Sequence, residues 1–268
     1  MGLLFLSAPA RAAATRVISL APSVTEILFA LGVGERVVGV STYCDYPPET
    51  ARIDKVGTFL SPNVELIVAK KPDLVIAVPS PGNQRAVESM AELGLSVLVV
   101  DPESVDSILA AVQTVADAVG VSAAGRELSA RISDRVARLG QRLASAPPRT
   151  VLMVVDHRPL IAVGAHTYQD ELIRLARGVN VAAKAGDQWP HVGLEFAVAA
   201  APEVIIDTTM GNDEESVPAD FWQTFATIPA VRSRRIYGYR AFVLLRPGPR
   251  VAEALETLAR FIHPEAFE

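Results

Sequence analysis

Aromatic residues make up only 6% of these 268 residues, so the positions of the few rings carry weight. Tyr43 and Tyr46 lie in Ser41-Thr42-Tyr43-Cys44-Asp45-Tyr46-Pro47-Pro48, directly after the β-type run Val37 to Val40. In an open α/β sheet the loops after the carboxyl ends of the strands border the ligand crevice. Phe59 and Trp189 stand 130 residues apart, one in each half of the chain. Four rings at one crevice would suit a large, flat, partly apolar ligand, because each adds broad contact area at small conformational cost. Any one of them could equally be a core residue.

His157, His166, His191 and His263 are scattered, and no two stand four apart as metal ligands on one helix face do. Three fall in or near loops of the second half. His166 or His157 could be an axial contact to a metal-bearing ligand, or an ordinary polar loop residue. His157, His166 and His191 with Asp187 would also allow a two-lobed metalloenzyme. Glu65 and Glu195, again 130 apart, each stand near the start of a helical pattern. There a carboxylate gains about 0.3 to 1 kcal/mol from the helix dipole. Two matching exposed charges would also make a symmetric dock for a basic partner.

Several function classes are excluded by what is missing. The chain has no G-x-G-x-x-G or G-x-x-x-x-G-K-[ST] phosphate loop, no H-E-x-x-H and no G-x-S-x-G. Gly32-Val33-Gly34 follows a helix, the wrong context for a pyrophosphate. Cys44 is the only cysteine, so internal disulfides and multi-cysteine metal sites are ruled out. A formal net charge of -5 gives no electrostatic footprint for nucleic acid, and the basic cluster Arg232 to Arg235 reads as a solvated turn.

These residues must be positioned by a duplicated unit. Residues 64 to 76, Val-Glu-Leu-Ile-Val-Ala-Lys-Lys-Pro-Asp-Leu-Val-Ile, return without a gap at 194 to 206 as Leu-Glu-Phe-Ala-Val-Ala-Ala-Ala-Pro-Glu-Val-Ile-Ile. The repeat predicts two similar lobes with a ligand cleft between them. Strand runs at 16–20, 37–40, 74–78 and 97–100 alternate with helical patterns at 64–70 and 83–93. This alternation predicts an α/β fold, each lobe a mainly parallel sheet flanked by helices. Ser23 and Glu26 have the spacing of a capping box for a helix ending at Gly32. Leu128, Ile132, Val136, Leu139 and Leu143 recur at steps of three and four, which predicts a long rigid helix ended by Pro147-Pro148. A strand at 151–155 and helices at 168–177 and 251–262 complete the second half. The expected organisation is 1–14 as the remnant of an export signal, 15–121 as the N-terminal lobe, 122–146 as the connecting helix and 147–268 as the C-terminal lobe. The signal reading rests on the apolar run Gly2 to Leu6 and the alanine-rich stretch to Ala14. No other run approaches the ~20 apolar residues that a membrane span needs.

Arg16-Val-Ile-Ser-Leu-Ala-Pro-Ser-Val-Thr-Glu26, Tyr43-Cys-Asp-Tyr-Pro-Pro48, Gly57-Thr-Phe59 before Asn63-Val-Glu65, Lys71-Pro-Asp-Leu-Val-Ile76 and Trp189-Pro190 before Glu195 together resemble the helical-backbone periplasmic substrate-binding proteins of ABC importers. That family carries vitamin B12, ferric siderophores and haem, and the resemblance runs from about Arg16 to Ile262. The resemblance is greatest to the vitamin B12 carriers. It implies cobalamin or a related corrinoid as a transported ligand rather than a prosthetic group, with haem or a ferric siderophore as the alternative. It implies ligand contacts at Tyr43, Tyr46, Phe59, Trp189 and Arg246, and permease docking through Glu65 and Glu195. It also implies a monomer in the periplasm that is not an enzyme. The chain departs from the carriers' pattern in having Phe59 at a tryptophan position and Val78-Pro79-Ser80-Pro81 where they supply another tryptophan.

Overall fold

Short apolar runs form the strands, and their pairing shows the duplication directly. The computed structural model describes residues 13–209, 218–239 and 242–268. Most of the expected signal segment, residues 1–12, lies outside them. The first sheet contains β1 (Val17–Ser19), β2 (Val37–Val40), β3 (Leu74–Ala77) and β4 (Val97–Val99) in the order β2-β1-β3-β4, all parallel. The second contains β5 (Arg149–His157), β6 (Leu160–Ala162), β7 (Gly178–Asn180), β8 (Val204–Asp207) and β9 (Ile236–Gly238). Here β7, β8 and β9 pair in parallel as β7-β5-β8-β9, the same order as in the first sheet. Only β6, folded back on β5 as a hairpin, is antiparallel. Both central strands β3 and β8 are fully buried, as parallel strands covered by helices on both faces must be.

The repeat is preserved residue by residue. Val17 pairs with Leu74 in one sheet and Val151 with Val204 in the other, and Leu74 and Val204 are equivalent positions. The repeat helices Val64–Ala69 and Leu194–Ala200 each bury one residue on their inner side, Ile67 and its counterpart Ala197. Each helix gives way to a left-handed residue, Lys71 at φ 49° and Ala201 at φ 46°. Pro72 and Pro202 follow them, and a proline disfavours right-handed helical geometry in the residue before it. The next residue is an acid with one structural task in both copies. Asp73 accepts from the backbone N–H groups of Thr15 and Arg16 at 2.8 and 3.0 Å. Glu203 accepts from the N–H of Thr150 at 2.8 Å.

By contact, the chain divides into two units. One comprises residues through Pro102 with Leu109–Ser129, the other Glu103–Ile108 with Ala130–Glu268. The long helix runs over Ser122–Arg142, 21 residues, so the division falls inside it. Leu128, Ile132, Leu139 and Leu143 are buried, as their spacing requires. At Gly125 a Cβ would stand 2.5 Å from the Cβ of Ala116, so the helix Val105–Ala118 packs against the long helix at a contact that only glycine fits.

Two expectations need correction. The first helix, Pro22–Ala30, has Ala21 as its N-cap and no side-chain cap, so Ser23 and Glu26 form no capping box. Proline lacks an N–H and its φ is preset for a helix, so Pro22 takes the first helical position and Ser23 falls inside the helix. Gly32, at φ +76°, does end that helix. The long helix stops at Arg142, short of 146, and residues 143–145 follow as a turn.

Candidate functional site

In the first unit, three segments beyond the carboxyl ends of β2 and β3 are bound into one surface. Cys44 is the buried pin of the Tyr43–Tyr46 loop. Its Sγ lies 3.1 Å from the hydroxyl oxygens of both Thr25 and Ser41, and the Thr25 hydroxyl donates to Ser19 Oγ at 2.8 Å. With Cys44 held below, Tyr43 and Tyr46 are turned outward, 61% and 43% exposed. Lys55 Nζ donates to the Cys44 carbonyl at 2.8 Å, and the N–H of Thr42 donates to the Gly57 carbonyl at 2.9 Å.

Phe59 rides on a tight turn in which Gly57 bridges to Pro62. Gly57 has φ +103°, and a Cβ there would meet the Asn63 nitrogen at 2.6 Å, so only glycine closes this turn. The buried Asn83 side chain donates to the carbonyls of Phe59 and Val78 at 3.2 and 2.9 Å, tying the turn to the loop after β3. Phe59 itself is half-buried.

In the second unit Trp189, at the position equivalent to Phe59, is 43% exposed. Its segment is laced to the strand end by hydrogen bonds from the N–H of Gly164 to the Gln188 carbonyl at 2.7 Å and from the N–H of Ala162 to the Pro190 carbonyl at 3.1 Å. A Cβ at Gly164 would lie 2.4 Å from the Gly186 carbonyl oxygen and 2.7 Å from Pro190 Cδ. We therefore predict that Gly164→Ala displaces the Trp189 segment. It should cost about 2 kcal/mol of stability and shift the emission of Trp189; an unchanged spectrum and melting temperature would contradict this packing.

The other expected site residues are placed as follows. Arg246 is half-buried, with its guanidinium 4.4 Å from the centre of the Phe242 ring. His166 is exposed, has φ 59°, and sits 3.0 Å from the equally exposed Asp187. His157, at the end of β5, is committed elsewhere. Its Nε2 is 2.6 Å from Asp207 Oδ2, and its ring stacks on Phe221 at 3.9 Å and 7°. His191 is exposed and belongs to neither pair. The metal set of His157, His166, His191 and Asp187 is therefore not assembled, and no group of three metal-binding side chains occurs among the described residues.

Glu65 and Glu195 are both exposed in the first turns of the repeat helices. Their surroundings differ. Asn63 caps the first helix by accepting from the N–H of Leu66 at 3.0 Å. Its counterpart Gly193 has no side chain, and Glu195 Oε2 lies 2.6 Å from where a Cβ would be, leaning back over the helix start.

Sequence reasoning missed Asp207. It is buried at the end of β8, where it takes His157 on one side and the Trp222 indole N–H at 2.7 Å on the other, with the N–H of Thr209 on its second oxygen at 3.1 Å. Burial alone would raise this carboxyl, but the hydrogen bonds from His157, Thr209 and Trp222 and the charge of His157 hold it below its ordinary value. The available signal was a lone acid ending the buried run Val204-Ile205-Ile206 at the carboxyl edge of a parallel sheet.

The sequence matches the family described as periplasmic binding protein over residues 17–241. It is 31% identical over 255 residues to the vitamin B12-binding protein of Yersinia pestis (strain Pestoides F), covering 95% of this chain and 88% of that protein. The periplasmic vitamin B12 binding protein BtuF of Vibrio cholerae superposes with a TM-score of 0.85 at 27% identity, covering 96% of this chain and all of that one. The periplasmic heme-binding protein BhuT in complex with two hemes superposes with a TM-score of 0.86 at 31% identity, over 94% and 98%. A match of this extent to proteins that bind rather than transform sets the metalloenzyme reading aside, and the chain belongs to the periplasmic binding protein family.

Proposed function

We propose that this protein captures cobalamin or a related corrinoid in the periplasm, as a monomer exported by its N-terminal signal, and delivers it to an ABC permease in the membrane. The observation that carries this reading is the likeness to a vitamin B12-binding protein along 95% of the chain. The site chemistry agrees with it. A corrin ring offers wide apolar faces, and the half-buried Phe59 and the exposed Trp189 stand at equivalent turns, with Tyr43 and Tyr46 exposed in the same unit as Phe59. Arg246 would face the polar groups around the ring's edge.

A second reading, haem or a ferric siderophore, is favoured by the likeness to the heme-binding protein BhuT. For iron, the exposed Tyr43, Tyr46 or His166 would be the axial contacts; His157 is less suited because one ring nitrogen already serves Asp207. Titration of the purified protein with cobalamin, haemin and a ferric siderophore separates these readings. Saturable one-to-one quenching of tryptophan emission by cobalamin is the expected result. No response to cobalamin with a Soret shift for haemin would replace the first reading by the second.

Glu65 and Glu195 would meet basic residues of the permease. Changing both to lysine should leave ligand affinity within about twofold and abolish uptake, since like charges facing each other cost several kcal/mol. If ligand affinity falls instead, these carboxylates belong to the ligand site.

A further inference from the structure

Beside the two glutamates, the repeat helices have kept a second feature that charge does not explain. Residues three and four apart share one face of a helix, so Glu65, Val68 and Ala69 form one stripe and Glu195, Val198 and Ala199 its counterpart. All six are exposed, Val68 by 41% and Val198 by 38%. Core packing accounts for the buried pair Ile67 and Ala197 but not for these valines. Nor does helix propensity, since valine is among the weaker helix formers. Neighbouring positions have changed freely: Leu66, 48% exposed, stands where Phe196 packs on the core, and Lys70 and Lys71, just past the first helix, stand where the second copy has alanines. Lys70 is paired with Asp54, so the free charge of the first stripe is that of Glu65.

We propose that Val68 with Ala69 and Val198 with Ala199 form the apolar half of the docking face, each pair seating against an apolar patch of the permease next to the basic group that meets the glutamate. The inference rests on the carrier reading above and goes beyond it by naming what supplies the affinity. Exposed ion pairs contribute little and are screened by salt, so the glutamates set register while burial of the valines holds the complex. A partner that meets the same stripe on two units must offer the same patch twice.

The test uses the full-length carrier and proteoliposomes holding the permease that supports uptake with the wild-type chain. Val68→Ser and Val198→Ser should each weaken carrier binding by about tenfold, and the pair by about a hundredfold. The loss should persist in about 0.5 M salt, where the effect of Glu65→Gln and Glu195→Gln fades. Ligand titration and melting temperature should stay at wild-type values, since neither valine is buried. Wild-type binding by the double serine variant overturns the inference and leaves the carrier reading intact. If no permease supports uptake with the wild-type chain, although that chain binds ligand, both are overturned.

Discussion

Replacing Asp207 by alanine should destabilise the protein by about 3 to 5 kcal/mol, the usual cost of removing one partner of a buried, hydrogen-bonded charge pair. One buried carboxylate serves His157, the Trp222 indole and the Thr209 backbone at once. Its loss strands the indole N–H inside the core cluster of β5 and β8 and frees the histidine from its stack on Phe221. Asp207→Asn keeps the shape and should cost less, because the amide oxygen can still accept from one donor. Urea unfolding monitored at Trp222 measures both. A loss under 1 kcal/mol for the alanine variant would mean that the network is ornamental.

The same carboxylate sets a pH dependence, and its sign follows from the protons. Asp207 in the folded chain loses its proton at lower pH than the ordinary value of 3.8 that it has when unfolded. Between these values the unfolded chain binds more protons, so stability rises with pH across that window. The stabilisation is complete above about pH 5 and is lost as the pH falls below 3.8 toward the folded value. Asp73, whose buried face would raise it but whose hydrogen bonds from Thr15 and Arg16 lower it, works in the same direction. Acid unfolding of Asp207→Asn should lack the Asp207 part of this dependence.

Removing the two equivalent rings should have the largest effect on ligand binding. Phe59→Ala and Trp189→Ala are each expected to weaken the proposed ligand by about 30-fold, roughly 2 kcal/mol, as for anchoring aromatics elsewhere. If the two sites act independently the double variant loses on the order of a thousandfold. Both side chains are partly exposed in the free protein, so stability should change by less than about 1 kcal/mol. The readout is specific because the chain has only two tryptophans, and Trp222 is fully buried. Trp189→Phe should keep affinity while abolishing the ligand-dependent part of the quenching. Equal cobalamin affinity for wild type and the double alanine variant, read by titration calorimetry because the variant lacks Trp189, would remove both rings from the site.

The helix Val251–Ile262 and the strand Val37–Val40 were legible to the residue because their apolar periods are long or their boundaries sharp. Strands β6, β7 and β9 were not. Three residues carry no measurable period, and each exists only because a longer neighbour offers it a ladder of hydrogen bonds. Tyr43, Tyr46, Phe59 and Trp189 could be picked out because aromatics are scarce and follow strands or repeat one another. The supports beneath them could not. Cys44, Asn83 and Gly164 act through close approaches to residues about 20 or more positions away in the chain, and nothing in their local sequence announces the partner.

By itself, then, the order of residues determined the duplicated α/β plan, because periodicity and a gapless repeat at an offset of 130 residues are local or self-referential properties of a chain. It also determined which acids recur, but not what they do. Asp73 and Glu203 belong to the same repeat as Glu65 and Glu195 and all four are exposed, yet the first pair accepts backbone N–H groups at strand starts and the second stands on the first turns of the repeat helices. Only the tertiary structure separates them, because a carboxylate's role depends on whether its oxygens find donors within the fold or are left to meet a partner outside it.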